Sequence, residues 1–288
     1  MTLAENHSQL KESQEESLSI LFVGDLFGKA GRKALEQHLP RLRQAYPLEM
    51  VIVNGENSAG GIGITPAIAN ELFQAGIDVI TSGNHIWKYK EIFAYMESTN
   101  RLLRPLNYPP GAPGKGFVIY TTSNRRRVAV LNLAGRVFMD PLDCPFQAAD
   151  RFLDKVRLGR DVDAIVVDMH AEASSEKGAM GYYLDGRVSA ILGTHTHIPT
   201  ADQQILPHGS AFQTDVGMTG CYRSVIGMKG ESVMPRFLRQ MPTHFEQATD
   251  EGSLCATVLT LSLKDGLCRR IQPVRLGGSL SETPLPIR

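Results

Sequence analysis

Five short apolar runs, each ending in a residue that metals prefer, constrain this chain more than any other feature. Asp25 follows Ile20-Leu21-Phe22-Val23-Gly24. Glu56 and Asn57 follow Met50-Val51-Ile52-Val53-Asn54-Gly55, and Asn84 and His85 follow Ile77 to Gly83. His170 follows Ala164-Ile165-Val166-Val167-Asp168-Met169, and His195 and His197 follow Val188 to Thr194. Short β-branched runs between helical patterns read as buried strands of an α/β sheet. In such sheets ligands bind beyond the carboxyl ends of the strands. Five strand ends therefore deliver carboxylates, carboxamides and imidazoles to one rim, which is what a site for two metal ions needs.

The strand and helix pattern follows from the same reading. Strands are expected at Ser19 to Gly24, Val51 to Asn54, Asp78 to Thr81, Asp163 to Asp168, Val188 to Leu192 and Ala211 to Thr214. Helices are expected at Arg32 to Tyr46, from Thr65-Pro66 to near Gly76, at Lys88 to Glu97, Phe146 to Arg157 and Ser174 to Leu184. Pro40 should kink or restart the first helix, because proline removes a hydrogen bond and crowds the preceding turn. Asn107 to Gly116 is rich in proline and glycine and reads as a loop. Antiparallel hairpins are expected at Phe117–Thr122 with Val128–Leu133, and at Cys255–Leu263 with Leu267–Val274 around Lys264-Asp265-Gly266. The expected architecture is α/β: two mixed sheets packed face to face and flanked by helices, in four layers.

Length and composition set outer bounds. The 288 residues can bury a large core, and residues 18–288 are expected to form one domain. Residues 1–17 are polar, lack a signal-peptide pattern and are expected to be a mobile tail. The 30 basic and 30 acidic residues balance, so no stable nucleic-acid complex or membrane-surface binding is expected. No run reaches the about 18 apolar residues of a membrane span, and a cytoplasmic location is expected. An assembly of identical chains is also expected. Cys144, Cys221, Cys255 and Cys268 form no Cys-x-x-Cys pair and read as core residues in a reducing compartment.

Two close cations need a shared ligand, and a carboxylate with two oxygens serves best. Glu56 is the candidate bridge, with Asp25 adding charge on one ion. Imidazoles of His170, His195 and His197 suit iron, manganese, zinc or nickel. Asn57 and Asn84 would be weaker ligands that leave the ions acidic. Residues two apart in an extended segment share a side, so His195 and His197 should both reach the centre. His85, beside the cluster, reads as a general acid for a departing oxygen rather than a structural histidine. Asp168 or Glu172 could orient the His170 ring. Gly60-Gly61-Ile62-Gly63 lacks the spacing of a dinucleotide fingerprint and reads as a flexible loop beside the metals. Arg125 to Arg127 read as a solvated turn.

Taken together, Gly24-Asp25, Asn54-Gly55-Glu56-Asn57, Gly83-Asn84-His85, Asp168-Met169-His170-Ala171-Glu172 and Gly193-Thr194-His195-Thr196-His197 resemble the calcineurin-like metallophosphoesterase superfamily. Within it they are most like the bacterial 2′,3′-cyclic-nucleotide 2′-phosphodiesterase family. Leu184-Asp185-Gly186-Arg187-Val188-Ser189 and Thr214 to Gly220 add to the likeness. The resemblance runs from about Ser19 to Glu246. It implies a dinuclear centre of iron or manganese. Asp25, Glu56, Asn57 and His197 would hold one ion; Glu56, Asn84, His170 and His195 would hold the other, with His85 as proton donor. The implied reaction is in-line hydrolysis by hydroxide generated at the metals. The implied substrates are cyclic nucleotides, with 2′,3′ and 3′,5′ forms both open, or related small phosphoesters. Two departures stand out. Phe27 occupies a position where many superfamily members carry a histidine ligand. Lys88 stands where the closer family often carries an acid. The alternative is a non-catalytic regulator that binds metal or nucleotide on the same fold.

Overall fold

The computed structural model describes residues 16–286. Eleven strands and six α-helices occur among them. The strands are β1 (Ser17–Val23), β2 (Leu48–Asn54), β3 (Val79–Thr81), β4 (Phe117–Thr121), β5 (Arg127–Ala134), β6 (Ala164–His170), β7 (Ala190–Thr194), β8 (Gln204–Ile205), β9 (Ala211–Gln213), β10 (Leu254–Ser262) and β11 (Cys268–Leu276). The helices are α1 (Gly28–Ala45), α2 (Pro66–Gln74), α3 (Glu91–Ser98), α4 (Pro145–Leu153), α5 (Ser174–Leu184) and α6 (Gly230–Arg239).

The strands form two mixed sheets, ordered β11-β10-β1-β2-β3 and β4-β5-β6-β7-β9-β8. Strands β1, β2 and β3 run parallel, as do β5, β6, β7 and β9; antiparallel strands close every edge except that formed by β3. Side chains alternate between the two faces of a strand. Along β1, Leu18, Ile20 and Phe22 point inward and meet Val128, Val130, Val166 and Leu192 of the second sheet. Leu21 and Val23 point outward and pack under Leu35, Leu39 and Leu42 of α1. On the far side, Leu131, Ile165, Val167 and Ile191 pack under Phe152 of α4 and Met180 of α5. This gives helix, sheet, sheet, helix, the four-layer order expected from the sequence. Both faces of the central strands are buried, which is why their sequences run as unbroken apolar stretches.

Local departures have local causes. Helix α1 starts at Gly28, earlier than expected, and continues through Pro40. Proline frees the carbonyl four residues back. Glu36 and Pro40 are both exposed, so that carbonyl lies on the solvent face and the helix survives. The stretch expected as one helix from Lys88 splits into a 3-10 turn (Ile86–Lys88) and α3. Helix α4 stops at Leu153, short of Arg157, and β7 is shifted two residues toward the carboxyl end. Neither α6 nor β8 was expected. Ser17 already lies in β1, while residues 1–15 of the expected tail lie outside the described residues. Cys221, Cys255 and Cys268 are buried as expected, but Cys144 is half-buried ahead of α4. No helix among the described residues is long and apolar enough to cross a membrane.

Phe22 is fully buried between the sheets. Truncating a buried phenylalanine costs about 3–5 kcal/mol. Phe22→Ala is therefore expected to lower the unfolding free energy measured in urea by that amount, and a value within error of the parent would show that the inner layer is not the main core.

Candidate metal centre

Parallel strands place their carboxyl ends on one rim, and register fixes which residues meet there. Ala134 pairs with His170 and His170 with Thr194 across β5, β6 and β7. In the other sheet β1 ends just before Gly24-Asp25, and β2 and β3 end at Asn54 and Thr81. All eight residues expected at the site come together here.

One group surrounds His170. Its Nε2 lies 3.1 Å from Glu56 Oε1, 3.1 Å from Asn84 Oδ1 and 3.1 Å from His195 Nδ1. Ligand atoms of Glu56, His170 and His195 lie within 4.8 Å of one another. A second group adjoins it through Glu56. Asn57 Nδ2 donates to Glu56 Oε1 at 3.2 Å and lies 3.1 Å from His197 Nε2. His197 Nε2 is 3.9 Å from Asp25 Oδ1. As a ligand Asn57 would use its oxygen, which here faces His85 Nδ1 at 3.0 Å. His85 lies at the mouth, its side chain 38% exposed, with Nδ1 also 3.3 Å from Glu56 Oε1.

The outer contacts decide which atoms face inward. His197 Nδ1 donates to the Ile226 carbonyl at 3.0 Å, turning Nε2 to the centre. His195 Nε2 pairs with Glu172 at 3.2 Å, so Nδ1 faces the centre. Glu172 thus holds His195 and not His170. The His195-x-His197 segment is not extended as expected: β7 ends at Thr194, and His195 and His197 have φ of 96° and 68°. Left-handed backbone at a non-glycine residue costs energy and persists only where surroundings enforce it. Asp215 supplies much of that enforcement. It accepts from the Thr196 N–H at 3.1 Å, from Thr196 Oγ1 at 2.7 Å and from buried Lys177 Nζ at 2.8 Å. The two rings converge because the loop coils, not because it is a strand.

The glycines at the rim reflect crowding. A Cβ on Gly83 would come 2.1 Å from His170 Nε2 and 2.3 Å from Glu56 Oε2. Gly61 has φ of +89° and packs against the Phe27 ring, where a Cβ would lie 2.7 Å from Cζ. The loop read as flexible is therefore fitted closely over Phe27. The Phe27 ring in turn meets His197 edge-on, with centroids 5.5 Å apart. Lys88 is exposed at the end of the 3-10 turn that follows His85.

Electrostatics favour a cation. Asp25, Glu56 and His170 are fully buried, and no lysine or arginine pairs with either carboxylate among the described residues. Burial alone would raise the Glu56 carboxyl. His170, with hydrogen bonds from His170 and His85, outweighs it and holds Glu56 well below the usual range. Burial is the largest influence on Asp25 and pushes it up, opposed by His197 and His170. Burial also works against a charged His170, but Glu56, Asp25 and Asp168 push it up to about 9. Burial and the adjacent His170 hold His195 down at about 3. Without an ion, a single proton on His170 answers the buried carboxylates. A donor set of two carboxylates, three imidazoles and two amides fits divalent transition metals better than a proton.

Sequence reasoning missed several residues. Asn54 and Thr194 were noticed only within family motifs, Thr81 as a strand position and Lys177 as part of a helix. Asp215 was noticed only as part of a family motif. An Asn, Thr or Lys inside an apolar pattern was the available signal, since a buried polar group needs a partner.

Comparison with known proteins identifies the family of this chain. A family model described as YmdB-like protein matches residues 21–274. A 2′,3′-cyclic-nucleotide 2′-phosphodiesterase of Bacillus subtilis (strain 168) is 45% identical over 244 residues, covering 85% of this chain and 91% of its own. A hypothetical protein of Thermus thermophilus has a crystal structure with a TM-score of 0.84 and 43% identity, covering 90% of this chain and 99% of its own. A phosphatase of Mycoplasma pneumoniae has a TM-score of 0.85 and 34% identity, covering 91% of this chain and 94% of its own.

A pH dependence follows from His170. Its ordinary value is 6.5 and burial among carboxylates raises it to about 9. In metal-free protein its contribution to stability is full below about pH 6.5 and lost as pH rises through about 9. An ion must displace that proton, so affinity should move the other way. The apparent Kd for Mn²⁺ is expected to tighten about tenfold per pH unit between pH 7 and 8.5, with proton release seen by calorimetry in buffers of different ionisation enthalpy. A pH-independent Kd with no proton release would refute the assignment.

Proposed function

Because this chain belongs to the YmdB-like protein family, we propose that it is a metal-dependent phosphodiesterase acting on 2′,3′-cyclic nucleotides. The observation that carries the reading is Glu56, fully buried, with one oxygen within 3.3 Å of His170, Asn57 and His85 together. A carboxylate in that position is shared by both groups of candidate ligands. Asp25, Glu56, Asn57 and His197 would hold one ion, and Glu56, Asn84, His170 and His195 the other. Iron and manganese suit this mixture of nitrogen and oxygen donors. When bound, two such ions polarise a phosphoryl group and make water nucleophilic at neutral pH.

The protein's own residues then have separate tasks. Asp25 and Glu56 supply buried negative charge that draws the ions and keeps them in place. The Asn84 and Asn57 oxygens are neutral donors that leave the centre electron-poor. His85 has a different environment from the other imidazoles, being partly exposed at the mouth. Glu56 Oε1 lies 3.3 Å from its Nδ1, and Nε2 has no protein partner among the described residues. That nitrogen can exchange a proton with the leaving ribose oxygen as the P–O bond to it breaks and a new P–O bond to the attacking oxygen forms. General acid catalysis of this kind contributes about 10²–10⁴-fold. The neutral charge balance of the whole chain is consistent with a small substrate drawn by the centre itself.

Two variants separate the roles. Glu56→Gln should lose both bound metal and turnover, measured by elemental analysis and by hydrolysis of 2′,3′-cyclic AMP. His85→Ala should keep its metal but lower kcat by about 10²–10⁴-fold. Metal-loaded parent protein inert on 2′,3′- and 3′,5′-cyclic nucleotides and on a broad phosphodiester panel would overturn the enzymatic reading and favour a binding protein.

A further inference from the structure

Beneath the candidate ligands lies a second polar layer, Asn54, Thr81, Asp168 and Thr194, that is fully buried. We infer that Thr194 and Asp168 are positioning residues that fix which nitrogen of His170 faces the metal centre. The inference rests on the metal-centre reading above and goes beyond it, because neither residue is a candidate ligand.

The direction of each hydrogen bond is determined by chemistry. Asp168 is fully buried between the two sheets and, as a carboxylate, can only accept. It accepts from Thr81 Oγ1 at 2.5 Å, from Thr194 Oγ1 at 2.7 Å and from Asn54 Nδ2 at 2.9 Å. The Asn54 amide cannot be reversed, because its Oδ1 accepts from the Glu56 N–H at 3.2 Å. The Thr194 hydroxyl has one proton, and Asp168 takes it. What remains on Thr194 toward the centre is a lone pair, and His170 Nδ1 lies 2.8 Å away. His170 Nδ1 must therefore carry the proton, and Nε2 is left to face Glu56, Asn84 and His195.

Asp168 thus orients His170 through Thr194 and not directly, as the spacing Asp168-Met169-His170 had suggested. The methyl group of Thr194 is incidental to this role; the hydroxyl is required. A neutral imidazole can show either nitrogen, and only one arrangement presents Nε2 as a ligand. Removing the acceptor at Nδ1 would leave a buried N–H unpaired or let the proton migrate to Nε2. Outer partners of metal-bound histidines are worth about 10–100-fold in metal affinity.

Thr194→Val keeps the shape and deletes the hydroxyl, whereas Thr194→Ser keeps the hydroxyl and deletes the methyl. Both are stripped with chelator, and Mn²⁺ binding is measured by calorimetry beside thermal unfolding of the metal-free proteins. Thr194→Val is expected to weaken Mn²⁺ binding about 10–100-fold, and Thr194→Ser to stay within about threefold of the parent. Parent-like affinity in Thr194→Val overturns the inference, whatever its thermal stability. So does a Thr194→Ser variant as weak as Thr194→Val, since size would then be the cause. Should Thr194→Val fail to fold, the nitrogen-15 spectrum of parent protein loaded with Zn²⁺ decides. A proton on His170 Nδ1 supports the inference and a proton on Nε2 refutes it. Parent protein that binds neither Mn²⁺ nor Zn²⁺ would instead overturn the metal-centre reading, and this inference with it.

Discussion

Two fully buried carboxylates, Asp25 and Glu56, are the constraint around which the rim of this protein is organised. An ionised carboxylate taken from water into a protein interior costs several kcal/mol unless something of opposite charge meets it. No lysine or arginine does so among the described residues, although a buried Lys177 lies nearby. That lysine is committed to Asp215. The remaining compensation comes from imidazoles, which are neutral by default at physiological pH. His170 is therefore pushed up to about 9, while its neighbour His195, 3.1 Å away, is held at about 3 by burial and by the charged ring beside it. Glu56, His170 and His195 form a group that could hold a metal ion in place of that proton.

The same rim also joins the two sheets. Apolar inner faces attract each other without strong preference for one sliding position over another. The polar layer under the site is directional. Asn54 and Thr81 of the first sheet donate across to Asp168 of the second, and Asn54 also to Thr194. Fully satisfied buried networks of this kind specify one arrangement more than they add stability. Their geometry matters here because ligands from both sheets must meet within a few ångströms. Lys177 and Asp215 serve the loop between β7 and β9 in the same way, holding Thr196 while His195 and His197 take left-handed backbone.

Much of this was legible in the chain because the signals were redundant. The parallel strands carried largely apolar runs, and each group of site residues followed closely on such a run. Position relative to a strand end was enough to assign Asp25, Glu56, Asn84 and His170 to one rim. What could not be read were relations that depend on the third dimension. Whether Asp168 or Glu172 served His170 turned on where β6 and β7 end relative to each other, and the answer involved Thr194 from another strand. The coiling of His195 to His197 was hidden because nothing in Thr194-His195-Thr196-His197 marks left-handed backbone; the cause, Asp215, lies downstream on another segment. Helix α6 was missed for a different reason. Only Val233 of it is buried, so it carries no core-facing stripe of the usual width, and Pro235 argued against it.

Phe27 dictates much of the packing around the rim. The position after Asp25-Leu26 could hold a histidine in a wider class of similar sites, but here a phenyl ring fills it and presents its edge to His197. An edge-on aromatic contact is attractive and water-excluding, yet it donates no electron pair. Asn57, which directly follows Glu56, contacts both Glu56 and His197 on that side of the site. The ring also dictates the loops above it. Gly61 and Gly227, with φ of +89° and +103°, approach so closely that a Cβ on either would lie within 2.7 Å of the ring. Ile226, beside Gly227, provides the carbonyl that turns His197 inward. The Phe27 ring is thus framed by two close-packed glycines and by a histidine that the carbonyl beside one of them orients.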